Sequence, residues 1–230
     1  PNLRLGVLFS SGKDSTYAAW IMQQQNYEIA CLISLWSENT ESYMYHTPNM
    51  WITREQAHAM DIPLIVQETE GQKEAELQDL KEALEHAKEH YGIQGIVTGA
   101  LYSTYQRDRI QRIAEDLSLK VFNPLWHINQ EHELRNLINE GFQVVMTAIA
   151  AEGLTQEWLG TPLTHAHVDR LVTLQETIGM NVAGEGGEFE SLVLDSPLFR
   201  HPLAIAESRI VMENECTGSL DIKKVLNNNT

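Results

Sequence analysis

The sequence predicts an α/β domain on a parallel sheet over residues 1–126 and a smaller α+β domain over residues 127–230. Two observations predict the first domain. Short apolar runs alternate with amphipathic stretches, the pattern of strand–helix–strand units in which helices cover a parallel sheet. The first run, residues 3–9, passes straight into the polar string Ser10-Ser11-Gly12-Lys13-Asp14-Ser15, which reads as a tight loop opening a helix. A third observation predicts the boundary. After Pro124 the alternation stops and glycine-rich punctuation sets in, so the change of domain falls near Trp126.

The helix after the first loop is expected to run to about Gln25. Residues 29–36 are nearly all apolar, as in a strand buried on both faces. A helix over 51–60 and a strand over 63–67 follow. Residues 74–91 form the clearest helix, because Leu77, Leu80, Leu84, Ala87 and Tyr91 recur at three- and four-residue steps. Lys81, Glu82, Glu85, Lys88 and Glu89 make its solvated face. A strand over 96–100, a helix over 103–117 and a strand over 120–122 complete the first domain. The second is expected to hold helices over 131–139 and 168–178, and strands over 143–149, 192–194 and 204–212. The polar ending, residues 226–230, is expected to fray. Trp20, Trp36, Trp51, Trp126 and Trp158 are read as core or domain-junction aromatics.

Composition narrows the function. A hydrophobic content of 43% describes a soluble globular chain. No apolar stretch approaches the roughly 20 residues that a membrane span needs. Residues 3–9 are too short for the apolar core of a signal peptide and lack a cleavage pattern. A first residue Pro1 is what removal of an initiator methionine leaves, and cytoplasm is the expected compartment. Cys31 and Cys216 are the only cysteines, too few for a disulfide framework or a cysteine zinc cluster, and neither sits in a C-x-x-C pair. Sixteen basic against 32 acidic residues give a net charge of −16. Such a field opposes a polyanion, and no Lys/Arg run offsets it, so nucleic acid is disfavoured against a protein or small-molecule substrate.

Three strings carry chemistry. In an open α/β sheet the loop after a strand lies at the carboxyl edge, where ligands bind. A helix start there offers unpaired N–H groups and a positive dipole end, both suited to phosphate. Ser10, Ser11 and Ser15 add hydroxyls, Gly12 lets backbone approach the ligand, and Lys13 adds charge. Asp14 makes sense among phosphates if it holds a Mg²⁺ ion that bridges them. The plainer reading is a serine-rich helix cap with Asp14 favouring the dipole. The second string runs from Gly99 to Arg109, with Tyr105, Gln106 and Arg107 inside it, and should reach the same sheet edge. Arg107 or Arg109 could offer a planar fork to phosphate, or simply pair with neighbouring acids. The third is Gly184-Glu185-Gly186-Gly187-Glu188-Phe189-Glu190, followed by Ser191 through Phe199. If residues 188–194 are extended, Glu188 and Glu190 share a face opposite Phe189 and could bind a cation, although a glycine-rich turn into an exposed strand is also open. His46, in the loop after the second strand, is a candidate proton carrier or substrate contact. The remaining histidines, His165 and His167 included, show no convincing metal spacing.

The Ser10–Ser15 loop resembles the PP-loop, S-G-G-x-D-S, of the ATP pyrophosphatases, with Ser11 standing at the pattern's first glycine. Together with residues 41–49 (E-S-Y-M-Y-H-T-P-N), Gly99–Arg109, Pro124-Leu125-Trp126 and residues 184–199, it makes the chain similar to the diphthine–ammonia ligase family. The resemblance runs from Leu3 to about Met212. It implies a Rossmann-like parallel sheet with a PP-loop, of the adenine nucleotide alpha hydrolase type, followed by a smaller α+β domain. It also implies a carbon–nitrogen ligase that uses ATP, with Mg²⁺, to adenylate the diphthine carboxylate of elongation factor 2 and amidates it with ammonium, releasing AMP and pyrophosphate.

On that resemblance Ser10, Ser11, Gly12, Lys13, Asp14 and Ser15 serve the ATP phosphates, with Asp14 on the metal. The adenine lies near Leu35 and Trp36. Gly99, Tyr105, Gln106 and Arg107 serve the ATP or adenylate side. His46, Glu185, Gly186, Gly187, Glu188 and Glu190 face the substrate or ammonium, and Lys13, Asp14 and Glu188 are the expected catalytic set. Three readings stay open: another PP-loop ligase acting on a small carboxylic acid or base, a nucleotide-binding regulator without turnover, and assembly into a homo-oligomer.

Overall fold

Five strands, β1 (Arg4–Leu8), β2 (Glu28–Ser37), β3 (Leu64–Thr69), β4 (Gly95–Val97) and β5 (Lys120–Phe122), form one sheet in the order β3-β2-β1-β4-β5. Every neighbouring pair is parallel. They belong to a computed structural model that describes residues 2–37, 49–70, 72–99 and 104–227. The chain divides into two compact units, Pro1–Trp126 and His127–Thr230.

In the first unit the strands alternate with α1 (Lys13–Gln24), α2 (Ile52–Met60), α3 (Lys73–Tyr91) and α4 (Thr104–Asp116). Right-handed crossovers place α1 and α2 on one face of the sheet and α3 and α4 on the other. The apolar run of β2 follows from this cover, and residues 30–35 are buried without a break. The periodic residues of α3 meet the sheet as their spacing predicts. Leu80, Ala83, Leu84 and Ala87 join Ile110, Ile113 and Ala114 of α4 over Cys31, Ile33, Leu35, Ile65 and Ile96. Burial pushes the Cys31 thiol up to about 12, so it packs as an inert apolar group. Trp51 departs from expectation: it is 38% exposed just ahead of α2 rather than part of a core.

The second unit holds α5 (Gln130–Asn139), β6 (Gln143–Ala150), a 3₁₀ turn (Gln156–Trp158), α6 (His165–Ile178), β7 (Phe189–Asp195), β8 (Leu203–Met212) and β9 (Thr217–Asn227). Its antiparallel sheet has the order β7-β6-β9-β8. Two sequence expectations change here. α6 starts at His165, not Val168, because Thr164 caps it: the Thr164 hydroxyl accepts from the His167 N–H, and the His167 ring answers at the Thr164 N–H. β9 has no counterpart in the sequence reading, and residues 226–227, expected to fray, belong to it, with Asn227 opposite Leu203. Leu220 and Ile222 alternate with Asp221 and Lys223 before Lys224 breaks the pattern, so the apolar signal is short and pairing to β6 and β8 extends the strand. Among the described residues no helix is long and apolar enough to cross a membrane.

Candidate functional site

The strand order reverses between β1 and β4, and the loops leaving these two strands flank the crevice where open α/β sheets bind ligands. β1 delivers the serine loop. The Phe9 N–H still donates to Ile33 O at 2.8 Å, so the loop departs from a fixed strand end. The Ser10 N–H then donates to the Ser15 hydroxyl at 3.2 Å, closing the loop over the first turn of α1. Ser11 takes φ 71°, the left-handed region that a glycine occupies without strain. Gly12 is the N-cap residue, extended and with no side-chain cap, so the first N–H groups of α1 are not covered by their own cap. The Gly12 carbonyl accepts from the Thr16 hydroxyl at 3.0 Å, which secures the turn from below.

Lys13 is the unusual member. Its side chain is 2% exposed, yet it carries an ammonium that donates to both Asp14 oxygens, at 3.0 and 3.1 Å. Burying such a pair is costly unless it is well bonded. β4 approaches from the other side: a Cβ on Gly99 would lie 3.0 Å from the Ser15 N and 3.1 Å from the Asp14 carbonyl carbon. A side chain there would press on the backbone of the first turn of α1, which would have to give by a few tenths of an ångström. The structure thus brings Gly99 to Asp14 and Ser15.

Other expected contacts fall differently. The Leu35 side chain is part of the core beneath α3, so only its backbone is at the sheet edge. Trp36 is half-buried under the Arg54 guanidinium, 4.8 Å from the ring centroid, and its Nε1 has no hydrogen-bond partner among the described residues. The Arg107 guanidinium lies 5.0 Å over the Trp126 ring and 3.7 Å from Asp108; these, not the serine loop, are its described partners. Arg109 stacks 4.1 Å over Tyr105 and lines a cleft between α3 and α4 with Glu74, Lys81 and Arg112. His46 and residues 100–103 lie outside the described residues.

In the second unit the glutamate–glycine string forms a loop whose carboxylates are held by amides from elsewhere. The Gln130 side chain, at the start of α5, accepts from the Ala183 N–H at 2.9 Å. It donates to Asn181 Oδ1 and to Glu185 Oε2, both at 3.3 Å. Asn181 Nδ2 donates to Glu188 Oε1 at 3.2 Å, and the Gly186 N–H donates to Glu188 Oε2 at 2.9 Å. An added Cβ on Gly186 would displace the Glu188 carboxylate from this position. Phe189 is buried and opens β7. Glu190, opposite Ala148 of β6, is half-buried, and its Oε2 is buried with no hydrogen-bond partner among the described residues. Burial pushes its carboxyl up to about 7.

Two of these partners, Gln130 and Asn181, had no signal in the sequence. Each is an ordinary polar residue remote from the motif it supports.

The fit to nucleotide and metal follows from these groups. An uncapped helix start, a positive-φ turn and a buried lysine suit an oligophosphate. For a cation the loop supplies one carboxylate, Asp14, and the described residues contain no group of three His, Cys, Asp or Glu side chains that could hold a metal. Mg²⁺ commonly accepts such a site, with one or two carboxylates and the rest of its shell from phosphate and water.

Fold and loop together define a Rossmann-like α/β protein of the PP-loop class with an added α+β unit. Family models match both units: diphthamide synthase N-terminal domain over residues 3–121 and diphthamide synthase C-terminal domain over residues 129–227. The diphthine–ammonia ligase of Bos taurus is 32% identical over 228 residues, covering 91% of this chain and 85% of that protein. That of Homo sapiens is 32% identical over 231 residues, covering 92% and 86%. That of Schizosaccharomyces pombe is 30% identical over 220 residues, covering 89% of this chain but 36% of the longer relative. The chain belongs to the diphthine–ammonia ligase family. Among solved structures, a Rhizobium etli pyruvate carboxylase superposes with a TM-score of 0.32 at 12% identity, covering 67% of this chain and 15% of that one, too slight a likeness to argue from.

Proposed function

We propose that this ligase is ATP-dependent and AMP-forming, and that it adenylates the diphthine carboxylate of elongation factor 2 and amidates it with ammonium, in the cytoplasm. The observation that supports this most is the open start of α1 at the β1–β4 switch point, with Lys13 buried beside it. A carboxylate is a poor electrophile, and adenylation converts its oxygen into a leaving group. The loop N–H groups, the Ser10 and Ser15 hydroxyls and Lys13 hold the phosphates and stabilise charge that grows on departing pyrophosphate. Asp14 is the protein ligand for Mg²⁺, which would neutralise phosphate charge when bound. Asp14 also anchors Lys13, holding its ammonium beside the loop.

The glutamate–glycine loop takes the cationic side of the reaction. Glu185 and Glu188 are fixed acceptors, oriented by Gln130 and Asn181. Glu190 changes protonation near neutrality, the range in which a carboxyl can both receive and release a proton during amide formation.

The test is to incubate the full chain with ATP, ammonium and diphthine-bearing elongation factor 2. AMP, pyrophosphate and the mass change of an amide on the factor are expected together. ATP turnover without a modified acceptor would keep the chemistry and remove the substrate. ATP binding with no pyrophosphate released for any acceptor would remove the enzyme.

A further inference from the structure

The Ser11 carbonyl points away from the open side of the serine loop. It accepts from Gln56 Nε2 of α2 at 3.0 Å, and both residues are inaccessible, Ser11 at 1% and Gln56 at 0% exposure. No peptide bond is cis. A trans peptide is planar, with its C=O and N–H on opposite edges. Holding the Ser11 carbonyl toward α2 therefore turns the Gly12 N–H to the other side. That N–H donates to no group among the described residues.

The consequence is electrostatic. Rotation of the 11–12 peptide would aim a carbonyl oxygen where an anion binds and withdraw one donor. Such a rotation changes Ser11 ψ and Gly12 φ, and Gly12, extended and without a side chain, permits it. A buried donor from a different helix, 45 residues along the chain, removes that freedom, because abandoning it would strand the Gln56 N–H away from water. We infer that Gln56 is a positioning residue for the phosphate loop, fixing the 11–12 peptide so that an N–H, not a carbonyl, faces the phosphates of ATP. This rests on the serine loop being the ATP phosphate site.

The experiment uses the full chain with Gln56→Met and Gln56→Leu, each alone and combined with Ser11→Gly. Affinities for ATP and for adenosine are measured by calorimetric titration, with KM for ATP and for ammonium from pyrophosphate release and with thermal unfolding. Expected is a loss of about tenfold or more in ATP affinity, about the effect of one charge-assisted hydrogen bond. Adenosine affinity and the KM for ammonium should be unchanged. Ser11→Gly should deepen the loss, since a glycine at positive φ leaves the 11–12 peptide free to turn either way. Equal losses for ATP and adenosine, or a loss that Ser11→Gly relieves, would overturn the inference in favour of a plain packing role. ATP affinity unchanged in both single variants would overturn it too. A wild-type chain that binds no ATP would instead bring down the phosphate-site reading on which it stands, and the inference with it.

Discussion

The serine loop of the first unit and the glutamate–glycine loop of the second are built on opposite principles. The serine loop presents backbone: a positive-φ turn, an uncapped helix start and one buried lysine. The glutamate–glycine loop presents side chains, and its Gly186 lies against the Glu188 carboxylate and donates its N–H to it rather than to a ligand. The first suits a polyanion and the second a cation. The difference teaches that anion chemistry can be written into six consecutive residues, because a helix end supplies it. Orienting carboxylates takes partners from distant segments, here Gln130 and Asn181.

The comparison breaks most easily at Lys13. Lys13→Ala should lower pyrophosphate release by about 10²–10³-fold, the scale of losing one donor aimed at transition-state charge. A drop of less than tenfold would mean that the backbone alone carries the loop. Glu188→Gln tests the other region. It should lower amide formation by about a hundredfold and leave ATP affinity within twofold of wild type. An equal fall in both measurements would deny that the two loops divide the chemistry.

Glu190 sharpens the contrast through pH. Its native carboxyl titrates near 7, above the ordinary value of 4.5, because burial disfavours the charge. The native state therefore keeps a proton that the unfolded chain has released, and stability declines as pH rises from about 4.5 through about 7. Glu190→Gln should flatten that decline. The difference in Tm between pH 5 and pH 8 should shrink by a few degrees; a variant with the wild-type slope would show that Glu190 is solvated. The smallest effect belongs to Ser11→Gly. Relief of left-handed strain outweighs the added freedom of the unfolded chain, so thermal unfolding should show a gain of about 0.5–1 kcal/mol.

Much of the first unit was legible because its signals are local. The apolar run of β2 and the three- and four-residue steps of α3 each report burial directly, and both elements lie where these patterns put them. The serine string marked its own place at a strand end for the same reason. The second unit was less legible. The alternation in β9 is short, Leu220 and Ile222 before Lys224 breaks it, since part of the strand faces water. Residue order alone does not tell which way a side chain leaves the backbone: the Leu35 side chain joins the core, and the Arg107 guanidinium lies over Trp126.

What the sequence by itself determined is the parallel α/β sheet, the phosphate-type loop at its first strand end and the family of the chain. These depend on periodicity and on contiguous residues, which a helix or a strand converts into geometry through its own hydrogen bonds. Only the tertiary structure decided that Ser11 stands in the left-handed region with its carbonyl held by Gln56. It alone decided that Lys13 is buried against Asp14, and that Gln130 and Asn181 aim the glutamates. Those contacts join segments tens of residues apart, or depend on which atoms exclude water. Hydrogen bonding and desolvation across such separations are properties of the packed chain and leave no local trace in the order of its residues.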